Sequence, residues 1–265
     1  LLYTSGTTGR PKGVKYTIGM LLWQAFNTTQ VNALAQPGAQ QLTATPLFHA
    51  GGLNAVSNSL LYYGGCVSVI KRFDAGRVLS LVGNPDNGYT HLHCVPTMWQ
   101  MMRDLPAFDQ ADFSSVRHAH AGGGVLSRPL FEAYRERGLT IQHHYGGTEM
   151  GPAVCGMPVG DADRKLGSCG IPVPHTTVRI VGEDGEDLPD GVPGEVWVRG
   201  PSITPGYWKI DNEKSGSFAG EWYRTGDVLW RDEEGFFYFA DRLKDMYKSG
   251  GENVFCAEVE RALAD

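Results

Sequence analysis

Apolar and polar positions along this chain fall into two textures. From Leu1 to about Ala153, short apolar runs alternate with helical patterns, which predicts strands crossing back through helices in a layered α/β region with largely parallel strands. The runs at 41–45, 67–70, 91–95, 118–121 and 141–145 read as strands. The stretches at 53–63, 75–82, 97–104 and 128–137 read as helices, as does a run within 16–31 that carries Met20, Leu21, Leu22, Trp23 and Phe26. Past Gly167, short β-rich segments at 177–181, 194–199, 222–230 and 236–240 are separated by Gly, Pro and Asp turns. They predict a small antiparallel β-barrel-like subdomain. The expected divisions are 1–163 for the α/β part and 164–240 for the β-rich part, with a charged link at 241–245 and a further segment at 246–265.

Residues 16–70 contain no Asp, Glu, Lys or Arg. Part of this stretch, Gly51 to Ile70, is apolar enough to raise a membrane span. Asn54, Ser57, Asn58, Ser59 and four glycines in that stretch argue against it. The alternative is a helix and strand buried beside a site that excludes charge. The chain starts without Met inside an apparent strand and stops inside an apparent helix, so it reads as a piece of a longer protein. No signal-peptide pattern is present.

Composition narrows the classes. Of 265 residues, 42% are hydrophobic and 20% charged, which suits a globular protein with an ample core. A net charge of −6 gives no reason to expect nucleic acid as a partner. Five cysteines, odd in number and without a Cys-x-x-Cys, point to a reducing cytoplasm. The pairs His91/His93, His118/His120 and His143/His144 invite a metal. Zinc sites add cysteines or carboxylates at ligand spacing, and none stands nearby, so these read as core or pocket histidines.

Candidate chemistry concentrates in a few loops. Tyr3-Thr4-Ser5-Gly6-Thr7-Thr8-Gly9-Arg10-Pro11-Lys12-Gly13 follows a run read as the tail of a buried strand and precedes a helix. Glycines let backbone approach an anion, hydroxyls and N–H groups donate to it, and Lys12 adds a point charge, so a polyphosphate suits the loop. It is not a Walker loop, because Gly13 follows Lys12. Tyr145-Gly146-Gly147-Thr148-Glu149 ends a strand in a turn, where a carboxylate suits Mg²⁺. Gly122-Gly123-Gly124 follows another strand and would let a flat ring or acyl chain lie on bare backbone. A carboxylate at Asp227, in Tyr223-Arg224-Thr225-Gly226-Asp227, can accept both hydroxyls of a ribose.

These segments, in this order, resemble the motifs of the adenylate-forming superfamily: acyl-CoA synthetases, peptide-synthetase adenylation domains and luciferases. The opening loop matches at every fixed position. The resemblance implies an ATP-dependent acid–thiol ligase that makes an acyl-adenylate from a fatty or aryl acid and transfers the acyl group to coenzyme A. ATP, Mg²⁺ and coenzyme A are then the expected cofactors. Thr4, Ser5, Gly6, Thr7, Thr8, Gly9 and Lys12 would hold phosphates, Glu149 the Mg²⁺, and Thr148 the α-phosphate. Tyr145, Gly146, Gly147, Gly122, Gly123, Gly124, His143 and His144 would frame the nucleotide base. Asp227, Arg242 and the Tyr238-Phe239 pair would lie on the ribose side.

His49, in Pro46-Leu47-Phe48-His49, would orient the carboxylate or gate the acyl tunnel. Domains that take amino acids tend to carry Asp there, so His49 favours a plain acid. Gly250 and Gly251 would line a pantetheine tunnel, and Lys244-Asp245 would serve as hinge. Gly206, Tyr207 and Trp208 match a further element taken as structural. Two alternatives remain open: an adenylation domain loading a carrier protein, and a catalytically inactive nucleotide-binding module. The reading also expects no transmembrane segment and leaves a homodimer open. Family enzymes use a lysine beyond the end of this chain for adenylation, so the piece alone is expected to lack turnover.

Overall fold

A computed structural model describes residues 1–4, 11–32, 36–243, 245, 247–249, 252–254 and 256. The opening strand is not buried. Among the described residues β1 (Leu2–Thr4) pairs only with β2 (Lys12–Val14), as an antiparallel hairpin, and Leu1 and Tyr3 are exposed. The segment expected to bind an anion therefore joins two strands of a hairpin instead of running from strand to helix. The fifteen-residue helix α1 (Ile18–Asn32) comes only after β2.

The layered region then follows: β3 (Gln40–Thr43), α2 (Ala50–Asn54), α3 (Ser57–Tyr62), β4 (Cys66–Val69), α4 (Ala75–Val82), β5 (His91–Cys94), α5 (Pro96–Arg103), β6 (His118–Ala121), α6 (Arg128–Glu136) and β7 (Ile141–Tyr145). β3 to β7 pair in parallel in the order β4-β3-β5-β6-β7. One helix expected at 53–63 is two. The Ser57 hydroxyl donates to the Gly52 carbonyl at 2.8 Å, and Val56 leaves helical geometry with φ −134°. A side chain that captures a backbone carbonyl competes with the helix ladder and breaks it there.

One face of the parallel strands is apolar. Leu92, Cys94, Ala119, Ala121 and Ile141 pack with Val78, Leu79 and Val82 of α4, Trp99 and Met102 of α5, and Leu130, Phe131 and Tyr134 of α6. Each large side chain fully buried there contributes roughly 1.5–3 kcal/mol. Asp74 and Ser127 cap the N-termini of α4 and α6, satisfying helix-end N–H groups that would otherwise lack partners. The Tyr134 hydroxyl donates to the Trp99 carbonyl at 2.8 Å, and the Trp99 indole donates to the His120 carbonyl at 3.2 Å. Strand alternation puts the other residues on the opposite face: Gln41, Thr43, His91, His93, His118, His120, Gln142 and His144. Every one of these is buried, so both faces of these strands are covered.

The β-rich region comprises β8 (Cys155–Gly156), β9 (Ser168–Pro172), β10 (Thr177–Val181), β11 (Gly194–Arg199), α7 (Asn212–Ser215), β12 (Phe218–Ala219), β13 (Trp222–Arg231) and β14 (Phe237–Arg242). These strands are antiparallel, as the small barrel-like subdomain requires, but they continue the parallel sheet in an open path instead of closing into a barrel. β8 pairs antiparallel with β7 and β9, and β9 with β14, giving one path β10-β11-β13-β14-β9-β8-β7 within a twelve-stranded mixed sheet. Its own core holds Val178, Ile180, Val196, Val198, Tyr223 and Leu229. Two short strands, β15 (Tyr247–Ser249) and β16 (Glu252–Val254), pair beyond it. The sequence reads 246–253 as a turn; of that stretch, 247–249 and 252–253 are strand. Gly250, Gly251 and the final helix expected from Ala257 lie outside the described residues, as does Lys244.

Candidate active site

The first hairpin is stitched to residues 204–208. The Lys15 N–H donates to the Gly206 carbonyl at 3.0 Å and the Trp208 N–H to the Gly13 carbonyl at 2.7 Å. The Thr204 hydroxyl donates to the Lys15 carbonyl at 2.8 Å, and Val14 bridges Tyr207. The Thr204 N–H also donates to the Glu149 carbonyl at 2.8 Å, which ties the turn after β7 into the same junction.

Side chains then converge on one carboxylate. Glu149 Oε1 accepts a hydrogen bond from Tyr207 at 3.0 Å and a long one from Thr4 at 3.5 Å. The Lys12 ammonium sits 5.0 Å from the centre of the Tyr207 ring. Thr4 and Lys12 are register partners in the hairpin, so the two ends of the candidate anion-binding loop lie side by side, Thr4 against Glu149 and Lys12 against Tyr207. Ser5, Gly6, Thr7, Thr8 and Gly9 lie outside the described residues. Burial, with the Glu149 charge second, pushes the Tyr207 hydroxyl up to about 12, and the same two causes push Tyr223 higher still. Both phenols stay protonated and can act as donors. Sequence reading took Tyr207 as structural. Its place after Gly206 was visible, but its reach to Glu149 depends on the hairpin.

The donor set bears on Mg²⁺. Among the described residues no group of three His, Cys, Asp or Glu could hold a metal. One carboxylate held by hydroxyl donors suits Mg²⁺, which keeps several waters and commonly binds protein through one or two carboxylates plus substrate phosphates. Glu149 fits that role.

A second constellation lies where β7 meets β13 and β14. The Tyr145 hydroxyl donates to Asp227 Oδ2 at 2.8 Å, and Arg242 Nε lies 3.4 Å from Asp227 Oδ1. Asp227 and Arg242 are register partners on β13 and β14. Burial, then the Asp227 charge, raises the Tyr145 hydroxyl well above its ordinary value. Gly146 and Gly147 follow, and a Cβ on Gly146 would lie 1.8 Å from the Pro152 carbonyl oxygen, so only glycine fits. Thr148 is buried in the turn. In the glycine run, Gly123 has φ 77°, and His143 Nε2 lies 2.8 Å from the Gly124 carbonyl oxygen. Tyr238 is engaged elsewhere: its ring stacks on Trp230 at 4.1 Å and its hydroxyl donates to Asp232 at 3.2 Å. Phe239 packs against the antiparallel core.

The third group surrounds His49, the residue before α2, whose Nδ1 accepts the Gly51 N–H at 3.0 Å. His49 is exposed, as is Phe48 at 81%. A Cβ on Gly51 would lie 3.2 Å from His49 Nδ1 and 3.7 Å from His93 Nε2. A Cβ on Gly122 would lie 3.5 Å from His93 Cε1 and 3.6 Å from the His144 carbonyl oxygen. His93 therefore stands between the glycine after His49 and the glycine run after β6.

The AMP-binding enzyme family matches residues 1–208. A feruloyl-CoA synthase of Amycolatopsis sp is 41% identical over 263 residues, covering 99% of this chain and 53% of that protein. An indoleacetate–CoA ligase of Aromatoleum aromaticum is 37% identical over 265 residues, covering 100% of this chain and 51% of that protein. The o-succinylbenzoate CoA synthetase of Bacillus subtilis, solved with its acyl-adenylate intermediate, superposes with a TM-score of 0.88 at 34% identity. That superposition covers 99% of this chain and 53% of the other. The same enzyme solved with ATP and magnesium ion also gives 0.88. The chain thus spans about half the length of the curated relatives it matches. On the loop, the carboxylate beside it and this match over most of its length, the chain belongs to the AMP-binding enzyme family.

Proposed function

We propose that the protein containing this chain is an ATP-dependent acid–thiol ligase that activates a carboxylic acid as an acyl-adenylate and passes the acyl group to coenzyme A. The observation that carries this reading is the meeting of Thr4 and Tyr207 at Glu149, with the Lys12 ammonium against the Tyr207 ring. Hydroxyl donors, a cation and a carboxylate suited to Mg²⁺, gathered beside one glycine- and hydroxyl-rich segment, support it.

In the first half-reaction a carboxylate oxygen attacks the α-phosphorus of ATP and pyrophosphate leaves. Negative charge grows on the departing oxygens. Thr4 and Lys12, at the loop ends, hold donors where that charge develops, which lowers the barrier more than it tightens ground-state binding. Glu149 would hold Mg²⁺, which would supply Lewis-acid neutralisation of phosphate charge. Tyr207 fixes the Glu149 carboxylate. Asp227, steadied by Tyr145 and Arg242, receives the ribose. His49, at the start of α2, orients the acid. In the second half-reaction the coenzyme A thiol attacks the acyl carbon and AMP leaves. The names of the relatives, feruloyl-CoA synthase and indoleacetate–CoA ligase, favour an aryl acid over a long fatty acid. Free thiols at Cys66, Cys94, Cys155, Cys169 and Cys256 support a cytoplasmic protein, and no described helix is long and apolar enough to cross a membrane.

The complete protein, given ATP, Mg²⁺ and a panel of acids of varied length and ring content, is expected to release pyrophosphate only when an acid is present. ATP binding without acid-dependent release from any member of the panel contradicts the reading.

A further inference from the structure

Between β2 and α1 one tyrosine is held by anchors on both sides. The Lys15 N–H donates to the Gly206 carbonyl at 3.0 Å, and the Lys15 carbonyl accepts from the Thr204 hydroxyl at 2.8 Å. Thr17 lies just before α1, and its hydroxyl accepts the Met20 N–H at 3.1 Å. Tyr16 sits between these anchors. Its hydroxyl oxygen is buried and has no hydrogen-bond partner among the described residues. The side chain of Asn54, the last residue of α2, approaches that hydroxyl without meeting hydrogen-bond geometry, and Asn54 Oδ1 accepts from Asn58 at 2.7 Å. A buried polar atom is ordinarily paired, so this orphan requires a physical account.

Glu149 is the charge beside it. The Thr204 residue that holds Lys15 also donates its N–H to the Glu149 carbonyl at 2.8 Å, so the two segments are joined through one residue. Burial raises the Tyr16 hydroxyl above its ordinary value; Asn54 opposes that rise and the Glu149 charge adds to it. The phenol is therefore neutral at physiological pH and carries one donor and two acceptor lone pairs.

We propose that Tyr16 is a positioning residue of the metal site, accepting a hydrogen bond from a water in the coordination shell of the Mg²⁺ that Glu149 would hold. This rests on the ligase reading above and adds a residue to that same site.

The chemistry of the ion supports the assignment. Mg²⁺ bound through one or two carboxylates and phosphates keeps several waters. Those waters turn a lone pair to the metal and their protons outward, so they need acceptors around them. Glu149 Oε1 already accepts from Tyr207 and Thr4. A neutral phenol oxygen accepts without adding charge, and its own proton can turn to Asn54. Groups just outside the coordination shell orient those within it, and losing one typically costs about tenfold to a hundredfold in metal affinity or activity. The anchors at Lys15 and Thr17 fix the backbone that carries the ring.

The test uses the complete protein and Tyr16→Phe, which deletes one oxygen and keeps the ring. Mn²⁺ serves as the probe, since its binding at saturating ATP is read directly by electron paramagnetic resonance. Tyr16→Phe is expected to bind Mn²⁺ about tenfold more weakly. It should also need more Mg²⁺ for half-maximal pyrophosphate release, with the KM for the acid unchanged. A purely structural role would move thermal stability and leave metal affinity alone. Equal Mn²⁺ affinity in the two proteins overturns the inference and leaves the ligase reading standing. Should Tyr16→Phe fail to fold, a crystal structure of the wild-type protein with ATP and Mg²⁺ decides. A metal-bound water is expected within hydrogen-bond distance of the Tyr16 oxygen, and its absence overturns the inference. No pyrophosphate from any acid overturns both.

Discussion

The Tyr207 hydroxyl donates to Glu149 Oε1 at 3.0 Å across 58 positions of sequence. Tyr207 is only 3% exposed and Glu149 half-buried, and a hydrogen bond to a charged group is worth about 1.5–3 kcal/mol. In Tyr207→Phe the carboxylate keeps its charge and loses its strongest orienting donor. The expected result is a higher Mg²⁺ requirement and a kcat lowered roughly tenfold, with the fold intact. A magnesium titration of pyrophosphate release that superimposes on wild type would remove Tyr207 from the site.

Glu149→Ala takes away the carboxylate itself. Losing one well-placed electrostatic group at a developing charge typically costs about 10²–10³ in rate. The variant should bind nucleotide weakly and fail to adenylate. Near-normal ATP–pyrophosphate exchange would contradict the metal role.

Asp227 is remote from phosphorus chemistry in this reading, held between Tyr145 and Arg242. Asp227→Ala is therefore expected to raise the KM for ATP more than it lowers kcat. Tyr145→Phe should shift KM in the same direction by less. A fall confined to kcat would place Asp227 in the chemical step instead.

Stability should depend on pH through the buried histidines of the sheet. Burial holds His93 at about 4 and His144 at about 3, against an ordinary value near 6.5. Between those values the unfolded chain binds more protons than the folded one, so stability rises with pH and is lost as pH falls from 6.5. Each ring contributes a loss on the order of 2 kcal/mol between pH 6.5 and 5. Urea midpoints measured across that range should decline steadily. A flat profile would mean that water reaches these rings.

Gly146→Ala is expected to disrupt the site whatever its surface chemistry. Its Cβ would lie 1.8 Å from backbone oxygen, which cannot move aside as a flexible side chain could. Loss of both activity and thermal stability is the expected outcome, read by calorimetry alongside the pyrophosphate assay.

How far the sequence could be read follows from the range of each interaction. The strands at 118–121, 141–145, 177–181 and 194–199 and the helix at 75–82 lie where the local pattern puts them, because burial on a pleat or helix face is written in nearby residues. Other features depended on distant partners. The run before the phosphate loop carries apolar residues but pairs with β2, so it became one arm of a half-exposed hairpin. The expected barrel became a continuous sheet because β8 and β9 bridge β7 to β14, and β8 is only two residues long. The break at Val56 turned on one hydroxyl reaching back five residues. In the site, the glycines, Thr4, Lys12 and Glu149 were recognisable as motifs. Tyr207 was not given a role, since nothing around it in sequence shows that a hairpin nearly two hundred positions earlier would lie against it. The nitrogens of His93, His120 and His144 that find no partner among the described residues were equally out of reach. Strand spacing says which side a ring faces and nothing about whether its nitrogens find partners.

The stitching of residues 13–15 to 204–208 also constrains when the molecule can become competent during its synthesis. A growing polypeptide that has emerged only as far as β9 already contains Thr4, Lys12 and Glu149, yet lacks residues 204–208, to which the backbone of 13–15 is bonded. Until Tyr207 leaves the ribosome, those bonds cannot form and Glu149 is without its tyrosine donor.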